Sequence, residues 1–574
     1  MPADQETAAC GPQLLSRRWA TSLLLVAVLV AALCGCARAT PIAPGSAQLS
    51  VTIHRPTFDA DGAGGFVDAE VVVTGPEGVV TTLISGGIVQ SATPGNFLVE
   101  PRDVFHQGRR FVGLPGVTTV TAGPGETVSV PITYVDAEEV LLFGDPAPVT
   151  LKPGGRTFHF DCSTGSDSAS GLTQARAFRS VARAADLTLN PGDRLLLNRG
   201  CSWRGPLTIG WHGSAEWPIV VGSYGEGAPP LIHDALGNNV EVYGTWVIIE
   251  HLATLTSPGT VAVDNQCRDQ PVGWRTGFTV QHEANNVTIR FSRASGHTAG
   301  VHVTRGASHN RIVNNLLSDN VIMSINTDDG GFDDSGAWGV VLNGADNVVA
   351  YNRFSGNIAW CSYDFGQEGA SIEVYEGVRN LIHHNISVED TTFSEIGGSD
   401  IRRAADNVYA FNVYSSSHAN SEFLVLRGAS GHFGPTPGTR AFNNSVYLSD
   451  PSETQGVVCY SGCSADVLEL RNNVIWVEWK GLYADAPFAE SHNLYWRANG
   501  HPLLQFFGEG NEMSATSLVS DPFFVDPASG DLRLQVGSPA IAAGVPIDIS
   551  FTRDAAGAVL DGSGPVDMGA FRGP

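Results

Sequence analysis

The chain has 574 residues, with 58 acidic against 33 basic side chains and a net charge of −25. That balance excludes nucleic acid as a partner, because a phosphate backbone needs a basic footprint. It also disfavours a polyanionic glycan unless cations bridge it. The length exceeds what one compact core can fill, but a solenoid growing along one axis escapes that limit.

Arg17 and Arg18 precede an apolar run, Trp19–Leu33, that is short for a spanning helix of about 20 residues. The run ends in Leu33-Cys-Gly-Cys36, which resembles a bacterial lipoprotein signal with cleavage before Cys36 and lipid on its sulfur. Residues 1–36 are therefore set aside as a signal peptide. Ser16-Arg-Arg18 hints at twin-arginine export. The mature protein is expected at the extracellular face of the cell membrane, lipid-anchored, or secreted. Residues 37–45, rich in Ala, Pro and Gly, form a linker.

Residues 46–135 alternate apolar and polar, as in Leu49–Ile53, Ala69–Val73 and Val128–Tyr134, with Gly and Pro between the runs. This pattern predicts a small antiparallel β-sandwich, Ig-like in size, acting as a spacer or accessory module. Phe105 and Phe111 would be its platform if it binds glycan. Residues 136–156 are a second linker.

From residue 157 the pattern changes. Phe178, Val181 and Ala185 recur at helical spacing within Gln174–Asp186, and Pro191-Gly-Asp193 turns the chain into the strand Arg194–Leu197. A short amphipathic helix would plug the open end of a solenoid there. Further on, a strand-like motif recurs with two Asn residues five places apart: Asn310–Asn315, Asn347–Asn352, Asn380–Asn385 and Asn407–Asn412. Looser forms end at Asn444 and Asn473. The motifs lie roughly 27–37 residues apart, within the range of solenoid repeats. One such coil cannot bury its inner face alone. Stacked coils can, and an Asn at the same corner of each would bond to the Asn above and below.

These residues resemble the pectate-lyase-like superfamily of polysaccharide-degrading enzymes. The resemblance covers about residues 157–574, and it implies an all-β fold with a right-handed parallel β-helix over 157–520. Residues 521–574, with Asp521-Pro-Phe-Phe-Val525, Ser538-Pro-Ala-Ile541 and Asp567–Phe571, resemble a closing segment that covers the far end. The fold hosts several reactions, so function must be read from the site.

Beyond the signal segment lie Cys162, Cys201, Cys267, Cys361, Cys459 and Cys463. An even count in an exported protein suggests disulfides. Cys459 with Cys463 closes the easiest local bridge, and Cys162 with Cys201 would pin the start of the solenoid. No pair has zinc-site spacing with His.

On a solenoid, function gathers where one outer face meets long loops. Such loops are expected at 257–275, 326–337 and 358–370. Strand alternation turns Glu373 and Tyr375 outward when Ile372 and Val374 face in. It does the same for Glu395, beside Ile396, and for Arg427, beside Leu426. Glu373 and Glu395 are 22 positions apart, close to the shortest coil, which places them on neighbouring rungs about 4.8 Å apart. Adjacent carboxyls push their pKa values apart, as glycoside hydrolysis requires. Rungs suit a retaining pair at about 5–5.5 Å, while Asp364 opposite Glu395 could give the wider inverting spacing. Glu373, Glu395 and Asp364 are the catalytic candidates, with roles unassigned. Arg427, Glu368, Tyr375 and His302 are the substrate-binding candidates.

Asp328, Asp329, Asp333 and Asp334 offer hard oxygen ligands that suit Ca²⁺, without EF-hand spacing. No cofactor is required. His383-His384 should place one ring inward and one outward. A Ca²⁺-dependent lyase is the alternative reading. It would use Arg402, Arg403 or Arg427 as base, since Lys480 is the only Lys in the solenoid and lies far from the acidic loops. A non-catalytic surface adhesin that binds glycan is the other. The expected partners are a polysaccharide and, through the anchor, a membrane, with the protein a monomer.

Overall fold

The computed structural model describes residues 46–54, 69–84, 86–102, 104–106, 109–114, 118–136, 149, 152–257, 273–326, 334–360, 362–498, 504–506, 512–549, 551–560 and 565–574. The signal segment with Cys36, the linker 37–45, Cys267, Cys361 and Asp328, Asp329 and Asp333 lie outside them. No helix among the described residues is long and apolar enough to cross a membrane.

The N-terminal module has a five-stranded and a four-stranded sheet around Leu49, Val71, Val73, Phe97, Val99 and Ile132, all buried. The alternation in the sequence becomes the two faces of each strand. The module departs from a purely antiparallel sandwich, because Ala47–His54 pairs in parallel with Thr127–Asp136. The Tyr134 hydroxyl donates to the backbone carbonyls of Glu70 and Arg102, both at 2.8 Å, and ties three segments together. Phe111 is buried in this core and cannot serve as a glycan platform. The Phe105 side chain is outside the described set.

Residues from Thr157 onward wind into a three-faced parallel β-helix. Sheet one has 12 strands, from Thr157–Phe160 to Ala489–Ser491. Sheet two has 12, from Ser202–Arg204 to Leu518–Val519, and sheet three has 11, from Leu207–Ile209 to Leu504–Phe506. Every pairing between successive coils within these sheets is parallel and in register, so inward positions stack on inward positions up each column. The inner columns are Val, Ile, Leu and Phe, and they form one continuous core.

The Asn pairs become two ladders at the corners that flank sheet one. In the second, the Nδ2 groups of Asn315, Asn352, Asn385, Asn412, Asn444 and Asn473 each donate to the next Oδ1, ending at Asn493, at 2.8–3.1 Å. The residue before each of these seven Asn has φ of 52–59°, which turns the chain in one left-handed step. That conformation is costly for side chains such as Tyr351 or Phe411. The fully paired amide behind it offsets the cost. A third, shorter ladder at the corner after sheet two runs Asn320–Asn357–Asp390, with Nδ2···Oδ1 distances of 2.7 and 3.1 Å.

The expected helix at 174–186 is instead two 3₁₀ turns, Gln174–Arg176 and Val181–Asp186. An extended segment separates them, because Phe178 bridges to Phe160. With three residues per turn, Val181 is followed inward by Ala184 and Ala185 is exposed. Trp203 and Trp211 donate their indole N–H groups to the carbonyls of Arg179 and Leu187, at 2.7 and 2.9 Å, and lock this plug onto the first coil. Disulfides join Cys162 to Cys201 and Cys459 to Cys463.

The closing segment lies along the flank rather than over the far end alone. Phe524, Leu532, Leu534, Met568 and Phe571 bury against the outward residues Val413, Val474 and Leu494 of sheet two. Ile547, Ile549 and Phe551 cover Val408 and Phe411 of sheet one. His384 reaches the Arg553 carbonyl at 2.9 Å and lies against Phe551, as does His383. Both rings therefore meet the closing segment, and neither enters the coil.

Candidate active site

The described residues of two expected loops, 326–337 and 358–370, leave the corner between sheets two and three and line the outer face of sheet three. Met323–Ile325 pairs with Ser335–Gly336 as a small antiparallel hairpin, and a second hairpin is closed where Ala359 meets Glu368. Between these walls and the 422–433 region runs a cleft of about 1380 Å³. Its lining reaches from Asn238 to Tyr483, across nine coils, so at one rung per 4.8 Å it spans roughly 40 Å.

Glu373 and Glu395 are direct partners on neighbouring parallel strands, Ala370–Tyr375 and Thr392–Gly397. Both face the cleft floor. The next strand, Glu422–Arg427, brings Arg427 back onto Glu395, with Nη2 2.5 Å from its carboxylate. Arg427 also lies 5.1 Å from the Tyr460 ring centroid, which holds the guanidinium from behind. Its Nη1 is buried without a partner among the described residues. One donor is therefore left for a bound molecule.

Burial raises Glu373 well above the usual carboxylate range, and the charges of Glu395 and then Glu368 raise it further. Arg427 opposes these effects. Glu368 comes in from the second hairpin and is raised in the same way, by burial first, then by Glu395, Asp334 and Asp364. Glu422 is pushed up to about 7, by burial and then by Glu395, and accepts from Gln455 at 2.6 Å. The ion-paired Glu395 is thus the hub of three carboxyls that favour their protonated forms.

Tyr375 lines the cleft, with its ring 6.3 Å from Phe433. His302 also lines it, two strands from Glu373 in the same column. Asp364 does not line the cleft. Its amide donates at 3.0 Å to Asp334, whose carboxylate also takes the Ser362 hydroxyl, and Glu368 occupies the facing position expected of Asp364. Asp334 is therefore spent on bracing one wall against the other. Lys480 stands at the far end of the cleft over Trp479 and Tyr483, at 3.7 and 4.6 Å from their centroids.

Glu422, Trp274 and Trp338 line the site and escaped the sequence reading. Strict alternation from Leu424 would point Glu422 inward. Sheet-three strands bend so that two consecutive residues face in, Phe423 with Leu424, which turns Glu422 out. The Phe-Leu pair after an acidic residue was the available signal.

A scan against protein-family models finds no match, and neither does a search of curated proteins. Among solved structures, the chain is similar to a GH136 lacto-N-biosidase from Eubacterium ramulus, at 15% identity over 64% of this chain and 67% of that one, with a TM-score of 0.45. It is similar to pectate lyase Pel9A at 15% identity over 74% and 98%, with a TM-score of 0.46. An alginate lyase from Paenibacillus sp. str. FPU-7 gives 15% over 61% and 99%, with a TM-score of 0.39. At these values the likenesses carry no argument about chemistry, which rests on the residues of the cleft.

Proposed function

We propose that this protein is a carbohydrate-active enzyme that hydrolyses a glycosidic bond of an extracellular polysaccharide laid along the cleft. The observation that carries this reading is the in-register pair Glu373 and Glu395, with Arg427 on only one of the two. Arg427 ion-pairs with Glu395, and burial, then the neighbouring Glu395 carboxylate, keep the proton on Glu373. Glu373 gives its proton to the glycosidic oxygen as the bond to the anomeric carbon breaks. The Glu395 carboxylate attacks that carbon and forms a glycosyl ester. Glu373, now ionised, takes a proton from water, the water oxygen attacks the anomeric carbon, and Glu395 leaves. A one-rung spacing suits this two-step retaining course. Arg427 orients both Glu395 and the sugar. Glu368, Tyr375 and His302 contribute to substrate binding.

A uronate would need Ca²⁺ to bridge it to the carboxyls of this cleft, as the Ca²⁺-dependent lyase alternative requires. No step requires a cofactor; Asp328, Asp329, Asp333 and Asp334 would hold Ca²⁺ if it binds. The same reading places the protein as a monomer at the extracellular face of the cell membrane through lipid on Cys36, or secreted, which mass spectrometry of the mature N-terminus tests.

The decisive experiment is incubation with a polysaccharide panel, followed by reducing-end assay and NMR of the product anomer. New reducing ends of retained configuration, lost in Glu373→Gln and Glu395→Gln, are expected. Full activity in both variants overturns the assignment. Unsaturated uronide absorbance identifies a lyase, and binding without turnover identifies an adhesin.

A further inference from the structure

The cleft changes character along its length. Around Glu395 it is charged. On the coils before Glu373 its described lining is aromatic and, apart from Asp334, uncharged, and nothing in the cleavage chemistry uses that part. Trp274 and Trp338 face each other there at 5.9 Å between centroids, and Trp274 lies 5.1 Å from the His302 ring. Trp338, Ala299, Val341 and Ala370 form a small apolar cluster on the outside of the coil, separate from the main core. This cluster seats Trp274 on the outer face of sheet three.

The polar atoms beside these rings are set for hydroxyl groups. The Trp274 indole N–H and the Thr304 hydroxyl are buried without a partner among the described residues. Both residues line the cleft. Leaving such atoms unpaired costs about 1–3 kcal/mol each, so a native fold keeps them where a ligand or water supplies the partner. Asn343 donates to the Tyr375 carbonyl at 2.7 Å, which turns its oxygen toward His302 Nε2 at 2.6 Å. Burial holds His302 in its neutral form. Nε2 therefore carries the proton, and Nδ1 presents a lone pair. One donor, one acceptor and one group that can do either thus surround an indole wall.

We infer that Trp274, Trp338, His302 and Thr304 form a subsite for a neutral pyranose ring, about two rungs or roughly 10 Å from Glu373, so that the substrate is an uncharged glycan. The ring's apolar face stacks on indole, and its hydroxyls take up the unpaired atoms. Among the described lining residues of this section, a carboxylate or sulfate would find no Arg or Lys. Along the described lining it would also meet Asp334, Glu395 and Glu453, besides Glu368, Glu373 and Glu422 with their raised proton affinity, against Arg427 and Lys480. The location of the subsite relative to bond cleavage rests on the proposed function; its chemistry does not.

The test is calorimetric titration of the full chain carrying Glu395→Gln. The probes are hexasaccharides of neutral gluco-, xylo-, manno- and galacto-series, set against oligogalacturonate and oligoalginate of equal length. At least one neutral series should bind and the uronates should not. Trp274→Phe, which keeps a ring and removes the N–H, should weaken binding about tenfold, and Trp338→Ala at least as much, with unchanged near-ultraviolet circular dichroism as the check on folding. Tight uronate binding overturns the inference, as does neutral binding untouched by both Trp variants. Turnover of a polyuronate by the unmodified protein sinks the neutral subsite and leaves glycan cleavage standing. Neutral binding that depends on Trp274, without turnover of the bound glycan, supports the subsite and sinks the hydrolase reading.

Discussion

Asp390 offers the sharpest quantitative test of how the interior is built. It occupies an Asn position at the end of the third ladder and is fully buried. Its Oδ1 accepts from Asn357 at the backbone N–H and at Nδ2, at 2.7 and 3.1 Å. Its Oδ2 accepts from the hydroxyls of Ser371 and Ser387, at 2.6 and 3.0 Å. Burial raises the carboxyl from 3.8 to about 6, even though each of these hydrogen bonds acts to lower it. A raised folded-state value means that the stabilising proton is in place below the unfolded value and is lost as pH climbs through about 6. At about 1.4 kcal/mol per pKa unit, that loss amounts to about 2.5 kcal/mol between pH 4 and pH 8. Asp390→Asn keeps the shape and the Oδ1 acceptor, and both hydroxyls can rotate to accept from its Nδ2. The variant should match the parent within about 1 kcal/mol near pH 4 and exceed it by about 2–3 kcal/mol at pH 8. Guanidinium unfolding followed by tryptophan fluorescence at the two pH values measures this. The other titrating groups are common to both proteins and cancel in the difference. A variant less stable than the parent at pH 8, or an offset independent of pH, would refute the reasoning.

Three further outcomes are expected. Glu373→Gln should lower kcat about 10²–10⁴-fold and abolish the basic limb of the rate profile, because the working form of Glu373 is lost as pH rises through its raised pKa; a profile unchanged in shape contradicts this. Arg427→Met removes the group that lowers Glu373, so the basic limb of its residual activity should move to higher pH. The lost ion pair should cost about 1–3 kcal/mol of stability, discounted because the Glu395 side chain is 36% exposed. Asn385→Ala strips partners from Asn352, Asn412 and the Val349 carbonyl in mid-ladder, and should cost about 3–5 kcal/mol in denaturant unfolding; a loss under 1 kcal/mol would mean the ladder is not a stabilising element.

The coil was legible because its demands are local and periodic. An apolar strand with Asn at each end satisfies one rung, and the next rung imposes the same demand on the same residue types. Glu373, Glu395 and Arg427 could be placed on one face from alternation and coil length, and they share the cleft floor with Glu368. Alternation failed wherever a strand bends, as at Phe423-Leu424, which hid Glu422. The plug at 174–186 misled because an apolar spacing of three reads almost like a helical one over two turns. His383 and His384 were misjudged because their neighbours lie some 170 positions later in the chain.

The sequence by itself determined the repeating strand, the corner amides and the outward direction of most groups on sheet three, since each follows from the geometry of one coil. The tertiary structure alone decided which loop carboxyl faces Glu395, how the closing segment runs along the flank, and how Trp274 and Trp338 meet. Those contacts join residues whose separation depends on the lengths of intervening loops, and loop length leaves no periodic trace in a sequence. The proton affinities of the site follow from the same contacts, because burial and neighbouring charge exist only once the coils are stacked.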